Sequence, residues 1–438
     1  MKLFRKVLFW LHLSAGVFAG IVVLIMSVTG VALTYEKQML AWADLRDYRS
    51  APPAPGAQPL PIDALLEKVS AARGELPSAV VVRPGPADPV GFSYGREATV
   101  YANPYTGEIL GEGSSDMRAF FRVMTDWHRW LGASAENRNV GKAITGACNL
   151  AFLFIVVSGL YLWWPRNWKW PNVKSIVLFR GGLSGKARDF NWHNVIGFWS
   201  AIPLFFVVMS ATIISYPWAS NLVYRVAGEE PPARRGPGPA GPPSKAGPRG
   251  GRGAETQPAL REPGRKREKT GRRDEPRLGL RAEVLPNTRA DRAGEQHPEE
   301  VSLKGLDALL ARAGTQVDGW RTITLRVPQS NDEPVSFAID QGSGGQPHLR
   351  STLTLDRNTA AVEWETFSDG TPGRRLRSWL RFIHTGEAGG IPGQTIAGLV
   401  SGGAVFLVYT GLALSLRRFA AWVRRKRSRA RDEVLVET

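Results

Sequence analysis

The sequence predicts an integral membrane protein, mainly α-helical, with four transmembrane helices in two repeats and a small α+β module outside the membrane in each repeat. Three observations predict it. Four runs contain no Asp, Glu, Lys or Arg: Val7 to Tyr35, Ala143 to Pro165, Asn194 to Tyr216 and Ala388 to Leu416. Each meets or exceeds the ~20 residues a helix needs to cross a bilayer core of about 30 Å. Polar stretches with mixed helix and strand patterns separate the runs within each half. Short motifs also recur between the halves: Met26-Ser27-Val28-Thr29 matches Met209-Ser210-Ala211-Thr212, and Val157-Ser158-Gly159-Leu160 matches Tyr409-Thr410-Gly411-Leu412.

Averages conceal this pattern. The 438 residues are 43% hydrophobic and carry a net charge of +17, with a mean hydropathy of −0.17. Much of the positive charge lies at the ends of apolar runs or in one Arg/Pro/Gly tract, so membrane topology explains it better than nucleic acid does. Fifteen tryptophans, many beside apolar runs, suit membrane interfaces. The one cysteine, Cys148, makes neither an intramolecular disulfide nor a CxxC site.

Taken in order, Lys2, Arg5 and Lys6 precede a first span over residues 7–35, too long for a signal-peptide core. Residues 36–125 form the first module. It has a helix from Pro61 to Arg73, strands at Ala79–Val82 and Ala98–Tyr101, a turn at Asn103–Glu108, and a strand resuming at Ile109-Leu110. The second span covers residues 139–165 and ends in Trp163-Trp164-Pro165-Arg166. The loop 166–190 is basic, hence cytoplasmic by the positive-inside rule. The third span covers residues 191–217. Residues 225–298, rich in Arg, Pro and Gly, read as a disordered linker. Residues 299–378 form the second module, with a helix from Val301 to Ala313 and strands at 322–327, 335–339 and 351–355. The fourth span, 390–416, stops at Arg417-Arg418, and 417–438 is a basic cytoplasmic tail. Both termini are expected in the cytoplasm and both modules outside.

Four of the six histidines sit at the ends of apolar runs: His12 and His193 at the cytoplasmic face, His128 and His384 at the external face. One such histidine is commonly an interfacial anchor or a packed hydrogen-bonding residue. Two pairs on opposite faces, each from different segments, point to metal ligation, because neutral imidazole ligates haem iron and facing helices can hold a cofactor between them. The expected cofactors are two non-covalent b-type haems, one held by His12 and His193, the other by His128 and His384. Covalent c-type attachment is excluded by the absence of C-x-x-C-H. Asp126 and Asp189, near two of the histidines, are candidates to orient those rings by hydrogen bonding, with loop solvation the expected role. Glu387, Arg377 and Arg381, beside His384, suit haem propionates, an anionic substrate or interfacial charge equally well. The glycines on the spans read mainly as helix–helix packing. Gly181-Gly182-Leu183-Ser184-Gly185-Lys186 resembles a phosphate loop, but its first glycine is misplaced and Ala187 stands where Ser or Thr is required. No GxGxxG or HExxH is present. A flavin or NAD(P)H donor therefore belongs to a separate cytoplasmic protein.

Trp127-His128-Arg129-Trp130-Leu131-Gly132, Ser158-Gly159-Leu160-Tyr161-Leu162-Trp163-Trp164-Pro165-Arg166, Trp192-His193-Asn194-Val195-Ile196-Gly197 and Ile383-His384-Thr385-Gly386 resemble motifs of the PepSY-associated transmembrane-helix proteins. These are also called iron-regulated membrane proteins and include ferric-siderophore reductases. Asn103 to Leu110 resembles the closing turn and strand of a PepSY module. The resemblance covers nearly the whole chain except about 228–298, an insertion that departs from the compact family pattern. It implies a bacterial inner-membrane protein with periplasmic PepSY-like modules that reduces Fe(III) in siderophores. Two other readings stand beside it. One is a non-catalytic membrane protein whose modules bind peptides or restrain a protease. The other is a haem protein exchanging electrons with quinone or another periplasmic acceptor.

Overall fold

The computed structural model describes residues 2–50, 52–95, 98–165, 168–232, 301–357 and 362–436. The first half runs α1 (Lys2–Leu33), α2 (Glu36–Leu45), α3 (Ile62–Arg73), β1 (Ala79–Val82), β2 (Val90–Tyr94), β3 (Ala98–Ala102), β4 (Ile109–Glu112), α4 (Ser115–Trp130) and α5 (Arg138–Trp163). A short helix α6 (Trp170–Val177) follows. The second half runs α7 (Gly185–Ser215), α8 (Pro217–Val226), α9 (Leu306–Gly314), β5 (Thr322–Arg326), β6 (Val335–Asp340), β7 (Arg350–Leu355), β8 (Val362–Thr366), α10 (Pro372–His384) and α11 (Gly390–Val436). Each half thus follows one order: long helix, two shorter helices, four strands, amphipathic helix, long helix.

Four helical segments are long and apolar enough to cross a membrane: Leu3–Leu33, Ser115–Trp163, Gly185–Ser215 and Glu387–Ser428. Their outer faces carry large apolar side chains with no protein cover, such as Phe18 at 86%, Leu399 at 71% and Ile202 at 67% exposure. Such a surface is costly in water and ordinary in lipid. α1 packs on α5 and α11, and α7 packs on the same two helices, so α1 and α7 stand on opposite corners of a four-helix bundle. Val156, Leu204, Val208, Val400 and Ala404 fill its centre.

The strands of the two expected modules form one antiparallel sheet of eight, in the order β4-β3-β2-β1-β5-β6-β7-β8. The seam is β1 against β5, with Val80 opposite Leu325 and Val81 opposite Thr324. Neither half has a separate core. Leu65, Leu66 and Val69 of α3 and Leu306 of α9 pack into the same cluster as Val80, Phe92, Phe337 and Leu353. Joining the halves removes the unpaired edge that the apolar β1 and β5 would otherwise expose. The helices also cap each other. The Asp63 carboxylate of α3 accepts from the Gly305 and Asp307 N–H groups at 3.0 Å each, and Asp307 accepts from the Ile62 N–H at 3.0 Å. Each carboxylate thereby satisfies orphan donors at the other helix's N-terminus.

Several boundaries differ from the sequence reading. The helix expected from Val301 begins only at Leu306, after Gly305 in the left-handed region at φ +81°. β2 and β8 lie where no strand was expected. Residues 225–226 close α8 rather than opening the linker, and 233–300 lie outside the described residues. The basic segment after Leu416 continues α11 as helix.

A carboxylate in each half seats the helix that follows the strands. Asp44 of α2 accepts from the Ser114 N–H at 2.7 Å, from the Arg118 guanidinium at 2.8 Å and from the Tyr101 hydroxyl at 3.1 Å, holding the start of α4. Glu229, just beyond α8, accepts from the Thr371 hydroxyl and the Gly373 N–H at 2.8 Å each, holding the start of α10. Burial alone would raise the Asp44 pKa, but the hydrogen bonds and charge of Arg118, with the Ser114 and Tyr101 bonds, hold it below its usual value. Burial first, then the Asp44 charge, pushes the Tyr101 phenol up to about 12.

Candidate functional site: two histidine pairs in the bundle

The structure brings the four singled-out histidines together in pairs. His128, near the end of α4, and His384, the last residue of α10, face one another at the sheet end of the bundle, ring centres 6.2 Å apart and tilted by 53°. His12 of α1 and His193 of α7, from the diagonal helices, lie toward the opposite end, seated against Ser158 of α5 and Thr410 of α11. From residue 12 to residue 29 of α1, where His128 is anchored, is about 25 Å at ~1.5 Å per residue.

Each Nδ1 has a partner. His12 meets Ser158 Oγ at 2.9 Å, His128 meets Thr29 Oγ1 at 3.0 Å, His193 meets Thr410 Oγ1 at 3.0 Å, and His384 meets the Val207 carbonyl at 3.0 Å. These partners fix the tautomer. A carbonyl only accepts, so His384 carries its proton on Nδ1. The three hydroxyls each have a single proton, and each already donates it within its own helix: Ser158 to Ile155 O at 3.2 Å, Thr29 to Ile25 O at 2.7 Å, Thr410 to Phe406 O at 2.7 Å. They therefore accept from Nδ1–H as well. With each Nδ1 so engaged, Nε2 is the ring nitrogen available to a metal.

A glycine follows each hydroxyl residue, and the imidazole edge lies over it. A Cβ at Gly159 would stand 3.3 Å from His12 Cε1, at Gly30 3.4 Å from His128 Cε1, and at Gly411 3.5 Å from His193 Cε1. Three of the four rings thus share one seat, a hydroxyl to take Nδ1 and a glycine to admit the ring. Of the other span glycines, Gly20 meets Leu412, Gly146 meets Tyr216, Gly398 meets Thr34 and Gly403 meets Ser200, as expected for helix packing, whereas Gly16 and Gly402 face open space. The Ser/Thr-Gly dipeptides were legible as repeat matches at Ser158-Gly159 and Thr410-Gly411, but their pairing with histidines more than a hundred residues away was not.

The flanking acids and arginines take other roles. Asp189 is not a solvated loop residue. It lies fully buried in α7, one turn before His193, paired with Arg417 at 2.8 Å and Arg188 at 3.0 Å. Asp126 pairs loosely with Arg138 at 3.8 Å. Glu387 is buried against Lys37 at 2.8 Å, tying the start of α11 to the segment after α1. Arg377 donates to Ser220 Oγ at 2.8 Å, and Arg381 lies over the Phe382 ring at 5.8 Å.

Among the described residues no group of three or more His, Cys, Asp and Glu side chains is placed to hold a metal ion. The four histidines are half-buried. Facing imidazoles with Nδ1 engaged are a donor set that suits haem iron; His128 with His384, and His12 with His193, are the residues that would hold one.

A family comparison accords with this architecture. The family model described as "PepSY-associated TM region" matches residues 9–418. The chain belongs to this family. The match takes in all four histidines and both halves of the eight-stranded sheet. No curated protein matches the chain.

Proposed function

We propose that the chain is a di-haem reductase of the bacterial inner membrane, passing electrons from the cytoplasmic side to a ferric siderophore in the periplasm. The observation that carries this reading is the arrangement of the histidines: two pairs at opposite ends of one bundle, every Nδ1 engaged and every Nε2 left as the metal-binding nitrogen. His12 and His193 would hold the haem on the cytoplasmic side, His128 and His384 the haem beside the sheet. When bound, each haem supplies a one-electron Fe(III)/Fe(II) couple. The protein's part is to fix the rings by hydroxyl and carbonyl acceptors, to keep water out through the apolar bundle centre, and to divide the crossing into two stations. Asp44 and Glu229 set the angle of α4 and α10, and so of His128 and His384, against α1 and α7. Electron delivery to the chelate releases iron because oxygen donors hold Fe(III) far better than Fe(II).

The topology belongs to the same reading. The basic ends near Lys6, Arg188 and Arg418 face the cytoplasm under the positive-inside rule, and the sheet stands in the periplasm. The common element order of the halves and the sheet symmetric about β1 and β5 support an internal repeat.

The test is the absorption spectrum of detergent-purified protein, oxidised and reduced, with haem quantified per chain. About two b haems are expected, with loss of one in His193→Ala and of the other in His128→Ala, and reoxidation by a ferric hydroxamate. Haem-free protein from haem-replete cells overturns the proposal.

A further inference from the structure

We propose that the helical extension of α11 is the docking site of a soluble, carboxylate-rich electron-donor protein, seated directly over the His12–His193 pair. This inference rests on the reductase reading and names its partner. α11 is one helix of 47 residues, Gly390–Val436, roughly 70 Å long at ~1.5 Å per residue. A bilayer with its headgroups is about 40–45 Å thick. At least ~25 Å of helix therefore stands clear of the membrane, beyond the reach of lipid headgroups at its outer turns.

The extension carries Asp432 and Glu433 near its end, but its first part, residues 417–428, is wholly cationic. Arg417, Arg418, Arg424, Arg425, Lys426 and Arg427 occupy it, and residues 417–428 contain no Asp or Glu. Arg417 is paired with the buried Asp189. Arg424 to Arg427 are exposed, and no ion pair joins them to a described carboxylate. Phe419 and Trp422 stack at 5.9 Å and remain 61% and 53% exposed, with Lys426 over the Trp422 ring at 5.7 Å. Exposed aromatics among unpaired cations are the composition of a protein-docking surface.

The root of the extension lies at the histidine pair. Arg418 covers the rings of Phe9 and Trp10, at 5.0 and 4.8 Å, and Trp10 is two residues from His12. Arg417 is two turns beyond Thr410, the anchor of His193, about 10 Å along the helix. A donor held by the cations is thereby brought to the cytoplasmic end of the electron path. Arg424 to Arg427 lie a further two turns out, about 10 Å beyond Arg417.

The test uses the full chain in nanodiscs of phosphatidylcholine, with reduced flavodoxin, an acidic FMN protein, as probe. Binding is measured by interferometry and haem reduction by stopped flow, at about 50 and 300 mM salt, between which the Debye length falls from about 14 to about 6 Å. Tenfold or greater weakening of binding and slowing of reduction is expected from the added salt and from R424E/R425E/K426E/R427E, with haem content and dithionite reduction unchanged. Equal binding and equal rates for wild type and variant overturn the proposal. So does a variant defective only toward vesicles containing phosphatidylglycerol, which would assign the cations to lipid. Haem-free protein would refute the reductase reading instead, and the binding arm would still decide the docking.

Discussion

Thr410→Val removes the acceptor of the His193 Nδ1–H while keeping the β-branched shape of the helix residue. In the native arrangement the Thr410 hydroxyl donates to Phe406 O at 2.7 Å and accepts from His193 at 3.0 Å. Valine abolishes both bonds. The lost hydrogen bond to the ring is worth about 0.5–1.5 kcal/mol. The greater effect is on ligation, because the partner of a ligating imidazole sets its tautomer and basicity. Removing such a partner costs roughly 10–100-fold in metal affinity, about 1.4–2.8 kcal/mol at 1.4 kcal/mol per decade. The assay is haem titration of apoprotein, followed by absorption, beside haem stoichiometry of the protein as purified. Thr410→Val should weaken one of two haem sites by that factor and leave the other untouched, and Thr410→Ser, which keeps the hydroxyl, should restore it. Equal haem affinity at both sites in Thr410→Val would refute the claim that the hydroxyl makes His193 a ligand.

The remaining expectations concern the seat, the clamp and the seam. Gly30→Val should displace the His128 ring, since even a Cβ would sit 3.4 Å from its Cε1; the haem count should fall toward one per chain with the cytoplasmic-side site retained. Arg118→Met leaves the Asp44 carboxylate buried without its cation, a loss of about 3–5 kcal/mol, read as a lower thermal midpoint for the sheet region. The same cluster gives a pH dependence. Asp44 has a lowered folded pKa, so its contribution is present above the unfolded value and lost in acid as pH falls through the folded value. Tyr101 is raised to about 12, so its contribution is present below the unfolded pKa near 10 and lost as pH rises toward 12. Thermal melts should be flat between these limits and fall beyond each, and the alkaline loss should vanish in Tyr101→Phe. Asp63→Ala and Asp307→Ala each remove a cap on the other half's helix and should each cost about 1 kcal/mol in denaturant unfolding, with less than additive loss in the double variant because the two caps share one site.

By itself the sequence determined the membrane class, four candidate spans and the four histidines at their ends. Uncharged runs of bilayer length are a one-dimensional signal, since lipid solvates every face of a helix in the same way and no partner need be known. Strands such as 79–82 and 335–339 were legible from their apolar, β-branched composition. β2, with Gly91 and Ser93 in its centre, and β8, with Glu363 and Glu365, were not, because they take their strand character from neighbours rather than from propensity. Only the tertiary structure decided that the strands of both halves form one sheet, since an antiparallel seam between residues 79–82 and 323–326 leaves no periodic trace in either segment. It likewise decided that Asp189 is buried, because its counter-charge, Arg417, is more than two hundred residues away. It also decided the chemistry of the imidazoles. Which ring nitrogen keeps its lone pair depends on what meets the other one. Those partners, Ser158, Thr29, Thr410 and the Val207 carbonyl, are supplied by different helices, which only the folded bundle sets side by side.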